Sequence, residues 1–179
     1  ARGIPSVKGV SLFNGNFHHE VTDMVVPGKG LPFVLSRSYN SYHWAYESNR
    51  GGVDNYHPWR FNWDLNVEYV PGSGNRQLSV AREDGSGEGF YKDTDNVWYP
   101  INQAGFGLIA TETPGPGKLT YSTRGGRHYV FENPDLGGKL LQLKDNDGNA
   151  LTVTHDANGR VLKVTDSLGR DYAFAYHSG

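Results

Sequence analysis

The residues of this 179-residue chain best suited to chemistry are a short histidine run, an acid-rich loop, one arginine in an apolar stretch and several groups of aromatic rings. In His18-His19-Glu20 the alternation of a strand puts His18 and Glu20 on one face, where two metal ligands could converge. A third ligand such as His43 or His57 has no place fixed by the pattern, so solvated polar residues are the simpler reading. Asp145-Asn146-Asp147-Gly148-Asn149 offers the oxygens of a calcium loop. An EF-hand, however, needs glycine at position six and an acid at twelve. Here glycine is fourth, which favours a tight turn. Gly85-Ser86-Gly87-Glu88-Gly89 is no nucleophile elbow and has no base placed beside its serine. Gly115-Pro116-Gly117-Lys118 lacks the remainder of a phosphate-binding loop. No catalytic constellation, cofactor or metal site is expected.

Arg37 poses a different question. In "LPFVLSRSYNS" the alternate residues Leu31, Phe33 and Leu35 predict one buried strand face, and continued alternation puts Arg37 and Tyr39 on it. A guanidinium there needs a carboxylate, and Asp23 and Asp64 are the expected partners in a structural, inner-face charge group. A ligand-binding arginine is the alternative. In "WRFNWDLNVEY" the residues Trp59, Phe61, Trp63, Leu65, Val67 and Tyr69 alternate with polar ones, which predicts one long strand with an apolar face. That face reads as core before it reads as a sugar platform. Tyr39, Tyr42, Trp44 and Tyr46 are less regular and are the candidates for stacking on a ligand such as a glycan ring.

The elements that must carry these residues are strands. The chain has 24 Gly, 9 Pro and 13% aromatic residues, with 11 Tyr and 4 Trp, a composition of pleated strands and tight turns. Strand-like runs are separated by turn signals throughout, from Asn14-Gly15 to the loop at Pro27–Pro32, the long irregular stretch at 42–58 and the hairpin at Gly125-Gly126. Seventeen basic and nineteen acidic residues are spread evenly, so no basic stripe points to nucleic acid. There is no cysteine, hence no disulfide or thiolate site, and no apolar run long enough to span a membrane. The opening lacks an apolar signal core and the pattern stops mid-phrase at "YAFAYHSG", as expected of a piece of something longer.

A repeat with a 21-residue offset runs through the last third. "GKLLQLKDNDGN" at 138–149 aligns with "GRVLKVTDSLGR" at 159–170, and Leu151, Val153 and His155 align with Tyr172, Phe174 and Tyr176. A weaker copy ends near Tyr129 and Phe131. Each unit reads as strand, turn, strand, turn, and one such hairpin cannot bury its own apolar face, so units must pair laterally. The predicted fold is all-β, a curved antiparallel sheet of consecutive β-hairpins. Its expected divisions are an N-terminal β region at 1–120 and hairpin repeats at 121–179.

Gly159 through His177 closely follows the YD-repeat pattern, with His155-Asp156 and Tyr176-His177 where the Tyr-Asp pair falls. "LFNGNFHHEVTDMVVPGKGLPFVLSRSYNS" and "HPWRFNWDLNV" look like the segment that precedes such repeats. The chain therefore resembles the Rhs (rearrangement hot spot), or YD-repeat, family. The resemblance implies a strip of a hollow β-shell that encloses a C-terminal toxin in large, mostly bacterial proteins. Such proteins are secreted, surface-associated or delivered by a secretion system. It also implies that any enzymatic activity of the parent lies elsewhere, since the self-cleaving core motif and toxin module are not in this sequence. Expected partners are the rest of the parent shell or further copies of the chain, with no nucleic acid and no membrane span. A secreted glycan-binding or adhesive module, and a unit that self-assembles through open edges, are the alternatives.

Overall fold

The structure is a computed structural model that describes residues 6–7, 9–11, 15–41, 59–95, 97–102, 107–112 and 117–176. A small hairpin of β1 (Ser6–Val7) and β2 (Val10–Ser11) opens it. A three-stranded sheet follows, made of β3 (His18–Val26), β4 (Phe33–Asn40) and β5 (Trp59–Phe61). The remaining strands form one eleven-stranded antiparallel sheet in unbroken sequence order. They are β6 (Val67–Tyr69), β7 (Gln77–Ala81), β8 (Gly87–Lys92), β9 (Trp98–Pro100), β10 (Gly107–Glu112), β11 (Lys118–Thr123), β12 (His128–Phe131), β13 (Leu140–Lys144), β14 (Ala150–His155), β15 (Val161–Thr165) and β16 (Asp171–Ala173). The protein is thus all-β, a run of antiparallel hairpins that is not closed into a barrel. Residues 120 and 121 both lie inside β11, so the sheet passes through that point without interruption.

Alternation decides which side chains each strand buries. In β7 Leu78 and Val80 are fully buried, and in β14 Leu151 and Val153 point inward while Thr152 and Thr154 face out. Across strands the buried residues meet directly, as in Leu78 opposite Phe90, Tyr121 opposite Tyr129, Leu143 opposite Leu151 and Val153 opposite Val164. Each fully buried aliphatic or aromatic side chain contributes about 1.5–3 kcal/mol relative to exposure.

Two matched irregularities set the face in the repeats. Pairing skips Leu141 in β13 and Leu162 in β15, positions 21 residues apart in the sequence. Each skipped residue is a β-bulge that resets the alternation. Leu140 and Leu143 are therefore both buried although three apart, as are Val161 and Val164, and Leu162 is left exposed.

The run predicted as one strand from Trp59 to Tyr69 is broken. The chain turns at Asn62–Trp63, and its two ends join different sheets as β5 and β6. Asn62 makes the break possible. Its buried amide accepts from Ser36 N (2.9 Å) and donates to Val34 O (2.9 Å), so a side chain continues the ladder along β4 after the backbone has left it. Trp63 Nε1 also donates to Val34 O at 2.8 Å. Trp63, Leu65 and Val67 are buried as alternation predicts, whereas Trp59 is 42% exposed and belongs to no core.

The chain entering β6 also bonds the chain entering β13. Val67 N donates to Gly138 O at 2.8 Å and Leu140 N to Leu65 O at 3.1 Å, around the bridge Asn66–Lys139. Gly138 is buried at positive φ, and a Cβ there would collide with the Val67 carbonyl oxygen. The smaller sheet is held to the larger by rings. Phe33 stacks on Tyr172 at 3.8 Å and lies parallel to Trp63 at 5.6 Å, and Phe61 meets Phe174 at 5.7 Å.

Candidate functional site

Arg37 shares a face of the three-stranded sheet with its register partner Phe61, but it stands in solvent and not in a core. Its side chain is 51% exposed. It grips Asp23 with two parallel hydrogen bonds, Nε to Oδ2 at 2.7 Å and Nη2 to Oδ1 at 2.8 Å. The hydrogen bond from Arg37 holds the Asp23 carboxyl below the usual carboxylate range. The alternation carries Arg37 onto the face of its register partner Phe61, but the cover over that face ends before it, and Asp23, a β-bulge in β3, stands beside it. On the other face of β4 Ser36 and Ser38 are buried, Ser36 bonding Asn62 and Ser38 lying against Gly85. Asp64, the other expected partner, is exposed just after Trp63, and the carboxylate that receives Arg37 is that of Asp23.

Tyr39 stands in a cross-strand row with His19 and Trp59. Its ring meets Trp59 at 5.5 Å and Phe17 at 5.6 Å, Trp59 meets His19 edge-on at 6.1 Å, and the Arg37 guanidinium lies 5.5 Å from the Trp59 centroid. Phe17 lies nearly parallel to His19 at 6.3 Å, the other pairs are tilted or edge-on, and Trp59 is already met by a cation, which is an arrangement for mutual packing more than a flat stacking platform. Tyr42, Trp44 and Tyr46 lie outside the described residues, as do His43, His57 and the whole stretch 42–58. His18 Nε2 donates to the Asp84 carbonyl oxygen at 2.9 Å. Among the described residues no group of three His, Cys, Asp or Glu side chains is placed to hold a metal.

The most regular polar geometry is in the turns of the repeats. In Asp145–Asn149, Asp156–Arg160 and Asp166–Arg170 the first N–H bonds the fifth carbonyl, and a glycine in fourth place returns its N–H to the first carbonyl. That glycine has φ between 78° and 83° in all three. The aspartate locks each turn from inside. Its Oδ1 accepts the N–H groups of the third and fifth residues, and its Oδ2 takes the fifth side chain, Asn149 Nδ2 at 2.8 Å, Arg160 Nε at 2.9 Å or Arg170 Nε at 2.8 Å. The carboxylate of "DNDGN" is thereby committed to its own turn.

The Asp166 turn does more. Tyr172 OH also donates to its Oδ2 at 3.0 Å, Arg170 Nη2 reaches the Pro27 carbonyl, and Ser167 Oγ donates to Lys29 O at 3.1 Å. The loop between β3 and β4 is thus clamped onto the repeats. Burial alone would raise the Asp166 carboxyl. The bonds from Arg170 N–H and guanidinium, Leu168 N–H and Tyr172 outweigh it and hold the group at about 2.

A pocket of about 300 Å³ opens where the smaller sheet meets the β7–β8 turn and strands β11 and β12. Leu65 and Ala81 are apolar surfaces in it, and Glu20, Arg82, Glu83, Asp84, Thr123 and Arg127 bring polar groups to it. Tyr121 OH donates to buried Glu88 at 2.7 Å and Tyr129 OH to Glu83 at 2.8 Å, with Arg127 Nη1 3.5 Å from Glu83. Burial first, then the adjacent carboxylates, push both phenols well above their usual range. Nothing in the sequence pattern joins residues 20, 83, 121 and 127. Only the folding-back of the smaller sheet does.

Compared with known families, residues 8–90 match a domain of unknown function, DUF6531, and residues 135–177 match the RHS repeat. The chain carries a repeat of the Rhs, or YD-repeat, family. The RHS repeat match takes in β13 to β16 and all three aspartate turns, and the DUF6531 match begins after β1 and ends at Phe90 within β8. No curated protein matches the chain. No helix of the described residues is long and apolar enough to cross a membrane.

Proposed function

We propose that this chain is a non-catalytic structural strip of an Rhs-type protein, a length of β-shell that encloses and helps deliver a C-terminal toxin or effector outside the producing cell. The observation that carries this reading is the growth of the large sheet, one strand at a time in sequence order, up to the RHS repeat strand β16. Among the described residues no strand pairs with the far side of β16, and such an edge calls for another strand. Further repeats of the same 21-residue period would supply it. The domains proposed for it are the region before the repeats, 1–120, and the hairpin repeats, 121–179.

The test is limited proteolysis of the longest reading frame that contains this sequence. Enclosure predicts that the segment after the last repeat survives in the folded protein and is cut once the shell is unfolded. Equal cutting rates for that segment alone and in the whole protein would refute it. The same edge also favours a self-assembling unit, in which copies of the chain pair through β16. Sedimentation separates the two, because a chain that stays monomeric at high concentration removes self-assembly.

A further inference from the structure

We propose that Tyr91 and Tyr99 are an oxidative cross-linking site, at which a peroxide-fed one-electron oxidant ties β8 to β9 through a dityrosine bond. The two residues stand directly opposite each other in the ladder and share the outer face, while their neighbours Phe90 and Trp98 are buried on the other. Their ring centroids are 5.7 Å apart with the planes 30° from parallel, and the residues are 42% and 37% exposed. Both phenols are thus open to an oxidant and already side by side. The chain has no cysteine, so a covalent tie between its strands has to come from another side chain.

The proton released on oxidation has a place to go. Tyr99 OH donates to Asp95 Oδ2 at 2.8 Å, and that bond keeps the phenol protonated above its usual range. The proton therefore leaves together with the electron, onto the carboxylate. Each phenol gives up one electron and its hydroxyl proton and becomes a phenoxyl radical. The radicals join through a carbon ortho to each oxygen, and the ring hydrogens displaced there move to the oxygens and restore both hydroxyls. One C–C bond forms and two C–H bonds break. The two electrons and two protons released reduce one hydrogen peroxide to two waters. Tyr121 and Tyr129 are spaced almost equally, at 5.9 Å, and also bond carboxylates, but both are buried. Exposure is what separates the two pairs.

Treatment of the whole chain with hydrogen peroxide and a haem peroxidase, followed by peptide mass mapping, tests this. Trypsin cuts after Lys92 and separates the two tyrosines, so the link shows as two joined peptides, two hydrogens lighter than their sum. The expected result is that link within monomeric chains, with none between Tyr121 and Tyr129. Tyr91→Phe and Tyr99→Phe should each abolish it. Asp95→Asn keeps the oxygen that accepts Val97 N–H, removes the charged proton acceptor and should slow linking severalfold. No 91–99 link, a link formed only between chains, or an unchanged rate in Asp95→Asn would overturn the proposal.

Discussion

In the turn at 82–86 an arginine holds the first position, and in the turn at 123–127 a threonine, whereas the three turns from residue 145 onward all begin with aspartate. The backbone bonds are the same in all five: first N–H to fifth carbonyl, fourth N–H to first carbonyl, glycine fourth. What differs is the lock. Thr123 Oγ1 reaches the Arg127 backbone only at 3.3 Å, while each aspartate gathers two N–H groups and a side chain at 3.0 Å or less. A hairpin's register therefore rests on glycine and the backbone, and the aspartate adds rigidity where units must repeat in step. In the 82–86 turn the carboxylate sits third instead of first, where Asp84 Oδ1 accepts the Ser86 N–H at 3.0 Å and the Ser86 hydroxyl at 2.6 Å, and long-range contacts such as Tyr129 with Glu83 and Tyr121 with Glu88 add to it.

The comparison can be attacked in descending order of effect. The core does not distinguish the regions, so Leu78→Ala and Leu151→Ala should each cost about 2–5 kcal/mol in urea unfolding. Nor does the skeleton. Gly148→Ala should cost about 1–2 kcal/mol, the strain of alanine in the left-handed region, and Gly85→Ala at least as much, because its Cβ would also come within 3.1 Å of Ser38 Oγ. A Gly85→Ala cost clearly below that of Gly148→Ala would mean that the skeletons are not equivalent.

The lock itself is read out with acid. Asp166 is held at about 2 in the folded protein and titrates near 3.9 when unfolded. A lowered folded value means the stabilisation is complete above about pH 4 and is lost as pH falls toward 2. The melting temperature of Asp166→Asn should lose part of that dependence, and Thr123→Ala, which removes only an uncharged hydroxyl from its turn, should leave it unchanged.

Two smaller effects sharpen the account of the N-terminal sheet. Ser38 Oγ is buried with no hydrogen-bond partner, so Ser38→Ala should raise stability by about 1 kcal/mol in the same urea assay. Arg37→Met should leave the melting temperature within error, since the Arg37–Asp23 pair is exposed to solvent and screening.

The repeat and its turns were legible, with the matched Leu151 and Val153 of β14, because period two and the D-x-x-G spacing are local signals. What was not legible lies where period two continues while the chain changes direction. Nothing in "LLQLK" or "VLKVT" announces that Leu141 and Leu162 are skipped, although their common offset of 21 residues was in plain view. Asn62 carried a faint signal, since asparagine is disfavoured inside strands and suits turns. The bulge at Asp23 had none, and period two could not tell that cover over the face of Leu35 and Phe61 ends before Arg37. The polar pocket could not be read at all, because its residues come together only through the pairing of distant strands.

The central claim is that the repeats extend a single sheet in sequence order with the β3–β4 hairpin clamped on it. Cross-strand NMR contacts of Tyr172 test it most directly. The account predicts contacts from Tyr172 to Val164 across the ladder and to the Phe33 ring above it. A Tyr172 that touches Val164 but not Phe33, or neither, would contradict it.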